Sequence, residues 1–191
     1  MEEKKNNINY PMLISVFIIY MLLLIWVIVL KFNSIPNLET AHGWKDDPLS
    51  IRFNSTNLIP FYFIYTSIKF NVFPIQEFLN IIIFIPFGIC VTLLFKRKKV
   101  WLVFLLAFLL STIFEVEQLI TALGYCDIND VITNVLGAII GAIIPIIFKG
   151  EKSNRIANII CFVFLIILTP ILIYACIMTF KTWSLYEGLL W

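Results

Sequence analysis

Near the end of a long apolar run the chain carries a carboxylate and a carboxamide, Glu115 and Gln118, three residues apart. That spacing puts both on one helical face, whereas Glu117 points about 160° away from Glu115. Shortly afterwards Asp127, Asp130 and Asn134 recur at i, i+3 and i+7, which is one stripe of a helix beginning near Asp127. A charge at the centre of a membrane span costs roughly 2.5–3.5 kcal/mol on insertion scales, so charges held there are the first candidates for function. Glu115 and Asp130 are therefore the candidate catalytic pair, because two carboxylates in unlike surroundings divide the roles of acid and base. Bland readings stand beside this one. Asp127 suits the positive end of a helix as a cap, and Asn134 suits a hydrogen bond between helices. Glu115, Asp127 and Asp130 also make an all-oxygen donor set of the kind Mg²⁺ or Ca²⁺ prefers. That is the weaker alternative to a site with no metal and no cofactor.

The other enzyme templates are missing. The sequence has no G-x-S-x-G, no H-E-x-x-H and no P-loop, and its single histidine, His42, lies in a polar loop. Cys90, Cys126, Cys161 and Cys176 show no CxxC spacing, and three of them fall in apolar runs, where cysteine behaves as a small hydrophobe.

The elements that must position these residues follow from composition. Of 191 residues, 61% are hydrophobic and 14% charged, against about 45–50% and about 25% in an average soluble domain. The excess is gathered into runs long enough to cross a hydrocarbon core of about 30 Å at about 1.5 Å per residue. The expected fold is all-α, a polytopic membrane bundle of about five transmembrane helices with an interfacial or re-entrant aromatic segment. Residues 1–10 form the amino terminus, and 11–32 the first span, too long for a signal-peptide core and with no A-x-A site after it. Residues 33–77 make a long connector whose later part is rich in aromatics, including Phe61, Tyr62, Phe63, Tyr65, Phe70 and Phe73, residue types that favour the membrane interface. Further spans are expected over 78–95, 100–123, 131–148 and 156–180.

Pro86, Phe87 and Gly88 predict a kink in the second span that frees carbonyls near Ile82 and Phe84. Asn80, near its outer end, is expected to join the polar cluster. Gly137 and Gly141, with Ala138 and Ala142 beside them, form a small-residue pattern for close helix packing. The short bridge between the third and fourth spans makes them antiparallel neighbours, so Glu115 and Gln118 meet Asp127, Asp130 and Asn134 at one end of the bundle.

Net charge is +2, with no basic patch suited to nucleic acid. Lys4 and Lys5, Lys96 to Lys99, and Lys149, Lys152 and Arg155 cluster between apolar runs. The positive-inside rule puts all three clusters in the cytoplasm. The amino terminus is then cytoplasmic, the carboxyl terminus extracytoplasmic, and the polar cluster faces outward. The expected partner is the lipid bilayer, with a lipid-linked or lipid-tailed ligand at the outer leaflet; oligomeric state is open.

Several segments together resemble the VanZ family of bacterial membrane proteins. They are Asn57-Leu58-Ile59-Pro60-Phe61, then Asn80 with Phe84-Ile85-Pro86-Phe87-Gly88, then Glu115-x-x-Gln118. Last comes the block from Asp127 through Asn134 to Ala138, with Gly141 after it. They occur in the family's order and define a VanZ-like region over 57–148. The resemblance implies a multi-pass cell-membrane protein, and its best-known member confers low-level resistance to the glycopeptide teicoplanin. Many relatives carry an arginine just before the acidic block, where this chain has Tyr125 and Cys126; Arg52 is the candidate replacement. Two other classes remain open: a membrane enzyme acting on a lipid or cell-wall precursor through Glu115 with Asp127 or Asp130, and a small transporter subunit built around the broken second span.

Overall fold

A computed structural model describes residues 9–29, 53, 56–95, 100–121 and 126–147, together with 158, 159, 162, 163, 166, 167, 169, 170, 173 and 174. Among these residues the fold is all-α, with five helices and no strand. They are α1 (Tyr10–Val29), α2 (Tyr62–Phe70), α3 (Ile75–Leu94), α4 (Val100–Thr121) and α5 (Ile128–Ile147). Of these, α3, α4 and α5 are long and apolar enough to cross a membrane. The chain divides into two compact units, residues 1–26 with 149–191, and residues 27–148.

In the first unit, the Asn9 side chain caps α1 by accepting the Met12 N–H at 3.2 Å. The Asn9 N–H in turn donates to Asn158 Oδ1 at 2.9 Å. Leu13, Val16, Tyr20, Leu23 and Leu24 are buried, and their spacing is that of one helical face. The expected fifth span falls mostly outside the described residues; the ten described positions from 158 to 174 are helical.

In the second unit, α3 and α5 form the most extensive helix pair, and α4 packs mainly on α5. The reason lies in three glycines. A Cβ on Gly88 would stand 1.9 Å from the Ala138 carbonyl oxygen, on Gly137 2.2 Å from that of Ile81, and on Gly141 2.1 Å from that of Ile85. Backbone therefore meets backbone along the whole α3–α5 seam, the geometry that small residues permit between apolar helices, with Cα–H···O contacts in place of side chains. Ala138 and Ala142 are fully buried on the same stripe.

The element ends differ from the apolar runs in instructive ways. Helix α3 starts at Ile75, three residues before the hydropathy boundary at 78. Gln76 and Glu77 are polar yet helical, because an acid in the first turn favours the positive helix end. Likewise α5 starts at Ile128 and not at 131, which brings Asp130 into its first turn. Helix α3 also runs unbroken through Pro86 from Ile75 to Leu94. The expected break is not there, and the adjacent Gly88 serves the contact with Ala138. The expectations for 1–8, 30–52, 54–55, 96–99, 122–125 and 148–157 fall outside the described residues. They include His42, Arg52, Tyr125 and the basic clusters used for orientation.

The aromatic connector contributes one short helix, α2, which buries none of its residues. Phe61 before it (φ 60°) and Asn71 after it (φ 50°) both adopt left-handed backbone. Asn tolerates this conformation, and at Asn71 the N–H returns to the Ser67 carbonyl, closing the helix.

Candidate functional site

The start of α3, the end of α4 and the start of α5 lie at one end of this unit, and the segment 57–59 closes over them. Its attachment is a single parallel bridge between Asn57 and Asp127. The Asn57 N–H donates to the Cys126 carbonyl, and the Ile128 N–H donates to the Asn57 carbonyl, each at 3.0 Å. Side chains repeat the link: Asn57 Nδ2 donates to Asp127 Oδ2 at 3.0 Å, while Asn57 Oδ1 accepts the Ile59 N–H at 3.2 Å. Asp127 Oδ1 accepts both the N–H and the Nδ2–H of Asn129, each at 2.7 Å. Asn129 Nδ2 also reaches the Ile59 carbonyl at 3.1 Å. The Asp127 side chain is thus a capping and clamping group whose two oxygens are both engaged.

Helix α4 joins through Glu115, whose Oε2 accepts the Asp127 N–H at 2.7 Å. One turn back, Ser111 Oγ accepts from Asn134 Nδ2 at 2.8 Å. Helix α3 joins through Gln76, whose Nε2 lies 3.4 Å from Asp130 Oδ2. Glu115, Gln118, Asn129, Asp130, Thr133 and Asn134 are all more than nine-tenths buried. The arrangement is a buried lattice of amides and carboxylates bonded to one another, in which the Oδ1 atoms of Asn129 and Asn134 are buried without a hydrogen-bond partner. Buried polar groups at this density specify a unique packing because each unmade bond is costly.

Of the residues singled out in the sequence, Glu115, Asp127 and Asp130 meet here with Asn134, and Gln118 is buried on the Glu115 face of α4. Asn80 is not hydrogen-bonded into the cluster, and its buried Nδ2 makes no hydrogen bond. Gln76, one turn earlier on α3, reaches Asp130 in its place. Gly137 and Gly141 lie on the α3–α5 seam. Among the described residues, no group of three or more His, Cys, Asp or Glu side chains is arranged to hold a metal ion. Asn57, Gln76, Ser111, Asn129 and Thr133 were not identified as site residues from the sequence. The i, i+4 spacing of Gln76 and Asn80 was a usable signal for one of them. Nothing local marks Asn57, whose partner is 70 residues away.

Cys126 sits at the rim, outside the membrane-spanning helices. Burial pushes its thiol above the ordinary value of 9.0, and the carboxylates of Glu115, Asp127 and Asp130 push it the same way. The thiolate is the reactive form, so a single-cysteine protein retaining only Cys126 is expected to alkylate slowly near neutral pH and faster as pH rises past 9. Glu115→Gln keeps an oxygen for the Asp127 N–H but removes one charge, and should shift the rate profile to lower pH. Maleimide labelling rates from pH 7 to 10 measure this; coincident profiles for parent and variant would show that the Glu115 charge is not felt at the rim.

Comparison with known proteins accords with this architecture. A family model described as VanZ/LLP1 matches residues 17–149. Protein VanZ of Enterococcus faecium is 30% identical over 157 residues, covering 82% of this chain and 88% of that protein. No solved structure gives a significant match.

Proposed function

Since the chain belongs to the VanZ/LLP1 family, we propose that it is a cell-envelope protein conferring teicoplanin-type glycopeptide resistance, acting through the polar end of its helix bundle at the outer face of the cell membrane. The observation that carries the site assignment is the lattice joining Asn57, Glu115, Asp127 and Asn129. It gathers the polar groups of three apolar helices at one end and leaves the rest of their length apolar. Orientation rests on the basic residues between the runs: with Lys96 to Lys99 cytoplasmic, α4 delivers Glu115 to the outer side. The amino terminus is then cytoplasmic and the spans pass repeatedly through the cell membrane. The ligand on this reading is a lipid-tailed molecule met at the outer leaflet. A susceptible Gram-positive host expressing the protein is expected to need more teicoplanin for growth inhibition than the same host with empty vector. No difference at verified membrane expression would overturn the resistance reading.

A further inference from the structure

Between α2 and the start of α3 lies an open cavity of about 390 Å³ lined by Phe63, Phe70, Phe73 and Ile75 together with Gln76 and Glu77. We propose that this cavity binds an amphiphile with one apolar chain and an ammonium head.

Its volume is in the usual range for small-molecule sites, and its walls are phenyl rings and aliphatic groups, which suit a hydrocarbon chain. The Thr66 hydroxyl, also at the wall, donates back to the Phe63 carbonyl at 3.0 Å and is already satisfied. Around the cavity, α2 has no buried residue, and Phe61, Tyr65, Ile68, Phe70 and Phe73 are at least half exposed. Apolar exposure on this scale belongs to a helix lying in the interfacial zone of a bilayer. The mouth of the cavity therefore opens where amphiphiles are concentrated.

Charge decides the head. Glu77 lines the cavity and has no hydrogen bond or ion pair among the described residues. The nearest described cation in sequence, Lys69, is held over the Tyr65 and Phe70 rings at 5.4 and 5.3 Å. A positive head pairs with the Glu77 carboxylate, for which the described residues provide no counter-charge, and an anionic head is repelled. This assignment stands on the cavity and is independent of the resistance reading.

The test uses the full chain in phosphatidylcholine nanodiscs and three photoactivatable dodecyl probes alike except for an ammonium, carboxylate or hydroxyl head. Peptide mapping should show the ammonium probe labelling residues 63–77 about fivefold more than the carboxylate probe, the ratio expected for one partly exposed ion pair. Ser67→Trp, which fills the cavity, should abolish the excess of ammonium over carboxylate labelling at 63–77 and leave labelling at Phe104 and Phe108 on the outer face of α4 unchanged. Glu77→Gln should equalise the three heads while the segment stays labelled. Equal labelling by all three probes in the parent would overturn the proposal, as would an ammonium excess at 63–77 that survives Ser67→Trp. If Ser67→Trp does not fold, the Glu77→Gln result decides alone, and a head preference that persists there overturns it.

Discussion

Alanine in place of Gly88 is expected to cost the protein about 3 kcal/mol or more, the upper range for forcing a group into a filled interior. The new Cβ would lie 1.9 Å from the Ala138 carbonyl oxygen, 2.8 Å from its carbonyl carbon and 2.9 Å from the Ala142 nitrogen. All three are backbone atoms, so no rotamer change relieves the clash; α3 and α5 must separate. Gly137→Ala and Gly141→Ala meet the carbonyls of Ile81 and Ile85 in the same way and should cost comparably. Separating the helices also loosens the polar lattice at their end, since Gln76 and Asp130 are carried by the two sides of that seam. Thermal unfolding in detergent measures the effect. Leu136→Ala, on an exposed position of α5, should change stability by less than about 0.5 kcal/mol and serves as the comparison. Glycine variants that unfold like the Leu136 variant would show that the seam is not closely packed.

The second large effect concerns the pairing of Asn57 with Asp127. Asp127→Asn turns an acceptor into an amide whose N–H₂ faces the N–H₂ of Asn57, leaving a donor against a donor. A loss of about 2 kcal/mol is expected for breaking a part-buried hydrogen bond to a charged group. Asn57→Asp alone sets two carboxylates face to face and should cost a similar amount. The double exchange, Asn57→Asp with Asp127→Asn, restores the bond with donor and acceptor reversed. Asn at 127 still offers Oδ1 to both donors of Asn129, and Asp at 57 still accepts the Ile59 N–H. Most of the lost stability should therefore return, and with each single change costing about 2 kcal/mol the cycle should give a coupling energy of about 3–4 kcal/mol. Additive losses would mean that the two side chains do not bind each other.

What the sequence revealed and what it concealed have physical reasons. Apolar runs near the length of a bilayer crossing are unmistakable, so α3, α4 and α5 were visible to within a few residues. Hydropathy placed the starts of α3 and α5 three residues late because Gln76, Glu77, Asn129 and Asp130 are polar residues of first turns, whereas the Asp127, Asp130 and Asn134 spacing already gave a helix beginning near Asp127. The meeting of Glu115 with Asp127 was legible because a short bridge makes adjacent helices antiparallel. Asn57 was not legible as a site residue, because its bond to Asp127 spans 70 positions and follows no helical period. Pro86 misled for a related reason. Proline can bend a helix without ending it, and α3 continues through Pro86 from Ile75 to Leu94. Gly88 takes its importance from Ala138 on another helix, which no local pattern specifies.

The lattice also bears on the candidate acid–base pair. Glu115 and Asp127 each accept a backbone N–H, whereas Asp130 meets a side chain of another helix, Gln76 Nε2 of α3 at 3.4 Å. Asp130 is the deeper of the two aspartates, more than nine-tenths buried where α3 and α5 meet, so its replacement tests the polar end directly. The most direct measurement is teicoplanin susceptibility of a Gram-positive host expressing the parent or Asp130→Ala at matched membrane level. Protection by the parent and its loss in the variant is the predicted result. Equal protection by both would contradict the assignment of function to this polar end.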